Sequence, residues 1–165
     1  MTSNSVARGY DTEENVPLAG YATVAATFVA SLATFAVVVR RRGVSLPERV
    51  PPYDLLLLGA ATYKTSRLLT KDKITAFLRA PFTRRQEDTT AGEVMDEPKG
   101  AGLRLAVGDL LSCPFCAAAW TAGGLVATYA VAPRAARLVC AGFGAMTLAD
   151  WLQYAWTWTQ EKAEG

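Results

Sequence analysis

The sequence predicts an all-α protein embedded in a membrane, with three spans and one short amphipathic or re-entrant helix between the first and second. Three observations carry this expectation. Apolar residues make up 51% of the chain and come in blocks, not at periodic positions. Residues 17–39 hold no charged side chain at all. The charges are crowded instead into the segments between the blocks. A chain of 165 residues could make one ordinary soluble domain, but such a domain alternates its apolar and polar positions.

Residues 1–16 are polar, with Arg8 set against Asp11, Glu13 and Glu14, and read as a disordered tail. Residues 17–39 form the first anchor: twenty-three residues, enough at about 1.5 Å each to cross a hydrocarbon core of roughly 30 Å. Their Val and Thr content disfavours a soluble helix, yet in lipid the backbone must bond within itself. Arg40, Arg41 and Arg42 follow at once. Basic residues stay on the cytoplasmic side, so the N-terminus is expected outside. A secretory signal would carry its positive charge ahead of the apolar run, whereas the tail here is mildly acidic.

Residues 40–107 are expected to hold a short helix and a polar basic loop. Uninterrupted apolarity lasts only over 55–63, about 13 Å of helix, too short for a bilayer. Lys64, Arg67 and Lys71 then fall at i, i+3 and i+7, on one face of a continuing helix. The segment 53–69 either lies in the interface or crosses at a tilt with its basic end snorkelling. If it does not cross, 13 Lys/Arg between Arg40 and Arg104 are cytoplasmic; the orientation rule prefers that three-span arrangement, with a cytoplasmic C-terminus, over the four-span alternative. Pro81 is expected to end the ITAFLRAPF turn, and 84–102 to be a flexible loop.

Residues 108–158 are read as a membrane helical hairpin with Pro133 and Arg134 at its turn, and 159–165 as a polar tail. Gly123, Gly124, Gly142 and Gly144 give small faces on which helices can approach, or reflect composition alone. Trp151, Tyr154, Trp156 and Trp158 suit an aromatic belt at a membrane interface.

Chemistry is sparse. A net charge of +2 without a basic aromatic patch excludes nucleic acid as a partner, and the chain has no histidine. Cys113 and Cys116 bracket Pro114. Proline suits the first helical position, so Cys113 is expected as the N-cap and Cys116 as the third residue in. Thiols there lie among unpaired N–H groups, which lowers a pKa and favours nucleophilic attack. Three readings stay open: a packed structural pair, a dithiol/disulfide redox site, and half of a zinc site shared between two chains. Apart from that shared zinc no cofactor is expected. Cys140 reads as a small buried apolar residue. Asp109 and Asp150 are acids at membrane depth, where charges need partners. Lys64 and Arg67 are the expected ones, in a structural charge cluster.

The strings LLLLGAATYKTSRLLTKDKIT and GDLLSCPFCAAAW, with the Arg79-Ala80-Pro81-Phe82 turn between them, resemble a bacterial membrane family catalogued as domain of unknown function 1360. The similarity covers about residues 54–151. The resemblance implies an integral membrane protein, with sporulation-associated members and no established activity. The expected function is non-enzymatic, through helix association or assembly in the cell membrane. The partners are then the lipid bilayer and a second copy or another membrane protein. The alternative is a membrane thiol-disulfide oxidoreductase or thiolate metal-binding protein using Cys113 and Cys116.

Overall fold

A computed structural model describes residues 16–88 and 93–164. Most of the polar tail expected over 1–16, and the centre of the expected loop, lie outside the described residues. Six α-helices and one two-stranded sheet make up the described fold. Helix α1 is Leu18–Arg41. Its end is closed by Gly43 at φ 62°, with Val44 N–H donating to Val39 O and Gly43 N–H to Arg40 O. That closure needs a residue that enters the left-handed region freely. Arg40 and Arg41 sit in its last turn, where cations suit the negative end of the helix dipole. The hydroxyls of Thr23, Thr27, Ser31 and Thr34 donate to carbonyls four residues back. These four hydroxyls are thus satisfied within the helix itself.

Helix α2, Pro52–Thr70, begins with proline at its first position and carries Asp54 in its first turn. At 19 residues it takes in the whole 53–69 segment, beyond the apolar run of 55–63. The basic residues continue the helix, because Lys and Arg are good helix formers and each finds a carboxylate. A 3-10 turn, Lys73–Thr75, and the short helix α3, Ala76–Arg79, follow.

The segment 84–102, expected to be a flexible loop, is largely a hairpin. Strand β1, Thr83–Asp88, pairs antiparallel with β2, Val94–Pro98, with Arg85 opposite Asp96 and an irregularity between Arg85 and Glu87. Composition hid this, since only Val94 supplies a buried apolar side chain. Polar ties hold the hairpin instead: Val94 N–H donates to Lys71 O at 2.9 Å and Lys99 N–H to Phe82 O.

The expected 108–158 hairpin divides differently. Helix α4, Leu103–Ser112, stops at Cys113 (φ −105°, ψ 110°), and α5, Pro114–Val131, starts afresh. A residue before proline is pushed out of the helical region, which explains the break. Only Ala132 separates α5 from α6, Pro133–Glu164. Helix α6 has 32 residues and absorbs most of the expected polar tail. Gln160, Glu161, Lys162 and Ala163 all favour helix, and no breaker precedes Glu164.

Side-chain pairs fix the directions. Asp54 meets Arg137, Ala60 meets Thr147, and Lys64 meets Asp150, so α2 and α6 run parallel. Gly20 packs on Gly102 and Ala106, Phe28 on Trp120, and Leu32 reaches Gly123, so α1 runs parallel to α4 and α5. Because α5 and α6 form a tight antiparallel pair, α2 opposes α1. Arg40–Arg42 and the 132–137 turn therefore lie at one end of the helix set. The hairpin, α3 and the start of α5 lie at the other.

Burial is inverted. The largest fully buried side chains are Arg79, Val94, Thr70 and Cys140. Exposed side chains include Leu56 (74%), Leu138 (77%) and Phe115 (89%). The buried apolar cluster is small: Leu58, Ala61, Tyr129, Ala136 and Cys140, between α2, α5 and α6.

Candidate functional site

At the hairpin end, Arg79 organises the surroundings of a cleft. Its guanidinium, wholly buried, donates to Asp96 Oδ2 at 2.7 Å, Leu69 O at 2.9 Å, Asp72 O at 3.0 Å and Thr75 Oγ1 at 2.8 Å. Thr75 Oγ1 also donates to Leu68 O. The carbonyls of Leu68 and Leu69 in the last turn of α2 are thereby satisfied, and the hairpin is fixed to α2 through Asp96 and Arg79. The short turn around Arg79 thus has a structural role that no period or composition reveals.

Between the end of α2, the hairpin and the second half of α6 lies a cleft of about 520 Å³. Lys64 Nζ donates to Asp150 Oδ2 at 2.7 Å on one side. Arg67 pairs with Glu93 on another, and its guanidinium lies 5.6 Å from the centre of the Tyr63 ring. Lys71, Asp72, Gln153 and Tyr154 complete much of the wall. Of the expected charge cluster, the fold brings Lys64 and Asp150 together. It does not join Arg67 to either aspartate. Asp109 is elsewhere, accepting a 2.6 Å hydrogen bond from Tyr21 Oη of α1. Glu93 lies in a stretch that reads as loop, so its reach to Arg67 was invisible before the hairpin was known.

Cys113 is the N-cap of α5, and its sulfur accepts from Cys116 N–H at 3.3 Å. Burial works to raise the Cys113 thiol. Hydrogen bonds from the Cys116 side chain and from the Cys116 and Phe115 backbone, with the charge of Lys71, outweigh it and hold the pKa below the ordinary thiol value. Cys116 is exposed, Cys140 is buried between helices, and all three thiols are free. Among the described residues, no three His, Cys, Asp or Glu side chains gather as a metal centre would require.

A second polar cluster lies at the opposite end. Asp54, buried, accepts from Tyr129 Oη at 2.5 Å and from Arg137 at 3.0 and 2.7 Å, and the Arg137 guanidinium stacks 5.7 Å from the Tyr129 ring centre. Sequence reasoning missed it. Neither Asp54 nor Arg137 belongs to the expected charge cluster of Lys64, Arg67, Asp109 and Asp150.

A family described as protein of unknown function (DUF1360) matches residues 57–156. The sporulation protein YjcA of Bacillus subtilis (strain 168) is 36% identical over 110 residues, covering 60% of this chain and 93% of that protein. The UPF0713 protein YngL of the same organism is 29% identical over 89 residues, covering 54% of this chain and 67% of that protein. No solved structure matches the chain.

Proposed function

The chain belongs to the DUF1360 family of proteins of unknown function, and from that premise we propose that it is an integral protein of the bacterial cell membrane working through helix association, not catalysis. The inverted burial carries this reading. Two helices, Leu18–Arg41 and Pro114–Val131, are long and apolar enough to cross a membrane, and they are only 6% and 11% buried over their most apolar windows. A helix that shows apolar residues all round wants lipid or a partner helix. The back-bonded hydroxyls of α1 suit the same surroundings.

Four crossings, by α1, α2, α5 and α6, fit the helix directions better than three. Helix α2 is about 28 Å long at 1.5 Å per residue and runs opposite to α1. Its Lys64 and Arg67 are both paired, as charges at membrane depth must be. The triple arginine closing α1 assigns that end to the cytoplasm. The start of α1, the end of α6, the hairpin and Cys113 then face outside. The further Lys/Arg on that outer face oppose this orientation, but Lys64, Arg67 and Arg79 among them are neutralised by acids. Association would be with a second copy or another membrane protein, and the name of the Bacillus relative suggests sporulation as its setting. Membrane fractions washed with alkaline carbonate test the reading: the protein stays with the bilayer, and release into the wash would defeat it.

A second reading, thiol-disulfide exchange at Cys113 and Cys116, draws on the N-cap geometry and the lowered Cys113 pKa. It requires that the double Cys113→Ser, Cys116→Ser variant accumulate normally yet lose function. Normal accumulation with no defect leaves the pair as packing.

A further inference from the structure

The cleft at the end of α2 contains an unusual residue of charge. Its two ion pairs, Lys64 with Asp150 and Arg67 with Glu93, are mutually satisfied. Two charged groups remain among its described lining residues: Lys71, whose hydrogen bond is to Met95 Sδ at 3.8 Å, and Asp72, which joins its neighbours only through the backbone. Outside those two ion pairs, one basic and one acidic residue, adjacent in the chain, line a cavity whose formal balance is near zero. A simple anion would meet Asp72, Asp150 and Glu93 there, and a simple cation would meet Lys64, Arg67 and Lys71. A ligand carrying both signs avoids either conflict. The end of a helix ordinarily repels anions through its exposed carbonyls. Here Arg79 and Thr75 occupy the carbonyls of Leu68, Leu69 and Asp72, which removes much of that repulsion.

Position narrows the class. Trp151, Trp156 and Trp158 are exposed on the same stretch of α6 that supplies Asp150, Gln153 and Tyr154 to the cleft. Tryptophan concentrates at headgroup depth. We propose that this cleft binds a zwitterion bearing a phosphate and a primary amine, with Lys71 receiving the phosphate and Asp72 the ammonium. A phosphatidylethanolamine headgroup or free phosphoethanolamine supplies that chemistry. The lipid source rests on the membrane reading above; the recognition by Lys71 and Asp72 does not.

The full chain in detergent, titrated calorimetrically with phosphoethanolamine and with glycerol phosphate, tests recognition. Native mass spectrometry of protein released from mixed phosphatidylethanolamine and phosphatidylglycerol nanodiscs tests the lipid source. Wild type should bind phosphoethanolamine at least tenfold more tightly than glycerol phosphate, or retain phosphatidylethanolamine over phosphatidylglycerol by a similar factor. Lys71→Gln should remove at least tenfold of the affinity, Lys71→Arg should keep most of it, and Asp72→Asn should abolish the preference for the amine. Lys162→Gln, outside the cleft, should change nothing, and circular dichroism of each variant checks the fold. Preference in the nanodisc arm alone identifies a lipid, and preference in the calorimetric arm alone a free zwitterion. No amine preference in either arm overturns the proposal, as does full affinity in a folded Lys71→Gln. Phosphoethanolamine binding by protein that carbonate releases would keep the cleft and discard the membrane.

Discussion

Single residues hold this protein together more by polar contacts than by apolar volume, and Arg79 is the clearest case. Replacing it with Met would fill similar space but leave Asp96 buried without its cation, along with the carbonyls of Leu69 and Asp72. Breaking a buried pair in this way costs about 3–5 kcal/mol. Arg79→Met should therefore release the hairpin, seen as faster protease cleavage within 83–98 and a lowered melting temperature in detergent; an unchanged melt would mean that Arg79 is dispensable. Gly108 is a second such position. A Cβ there would lie 2.7 Å from Phe82 O and 3.0 Å from the Pro98 side chain. Since that carbonyl is backbone, Gly108→Ala should cost about 1–3 kcal/mol by overpacking, whereas Gly124→Ala, which meets nothing within 4 Å, should not. Cys113 offers a pH test. Its lowered pKa means more thiolate at a given pH below the ordinary thiol value, so its alkylation rate should level off at lower pH than that of an unperturbed thiol. A rate still climbing steeply beyond the ordinary thiol value would contradict the capping geometry.

Elements show which parts of the fold were legible beforehand. Helix α1 was, because an uncharged run closed by three arginines leaves little else to form. The start of α5 was too: Pro114 fixes the first helical position and makes Cys113 the cap. The separation of α4 from α5 follows from the same proline, yet continuous apolarity masked it. The β1–β2 hairpin was illegible for a different reason. Its order comes from Asp96 reaching Arg79 and Glu93 reaching Arg67, contacts between residues 17 and 26 positions apart. No local pattern encodes them. The pairing of α2 with α6 was half legible: Lys64 and Asp150 had to find partners, but which base met which acid depended on helix direction. A double-mutant cycle on Lys64→Gln and Asp150→Asn measures that bond. Because Asp150 is about a third exposed, the coupling should be near 0.5–1 kcal/mol; strict additivity would show that the two do not interact.

For the whole molecule, the proposed four crossings put opposite ends of the helix set on opposite sides of the membrane. On intact cells, an impermeant maleimide should label Gln86→Cys in the hairpin and spare Leu46→Cys in the linker after α1, both made without the native cysteines. Labelling of Leu46→Cys alone would reverse the orientation, and identical labelling of the two would restore the three-span arrangement. The long-range polar pairs have a further consequence, concerning the order of synthesis. Tyr21 with Asp109, Asp54 with Arg137, and Lys64 with Asp150 are 88, 83 and 86 positions apart. At about 5–20 residues per second, each early partner waits roughly 4–18 seconds for its late one to leave the ribosome. Through that interval the nascent first half carries Asp54 and Lys64 with no mate, so α2 cannot settle until α6 arrives. A chain stopped after Val131 should be cleared by membrane quality control, and the bundle should mature in one late step instead of helix by helix.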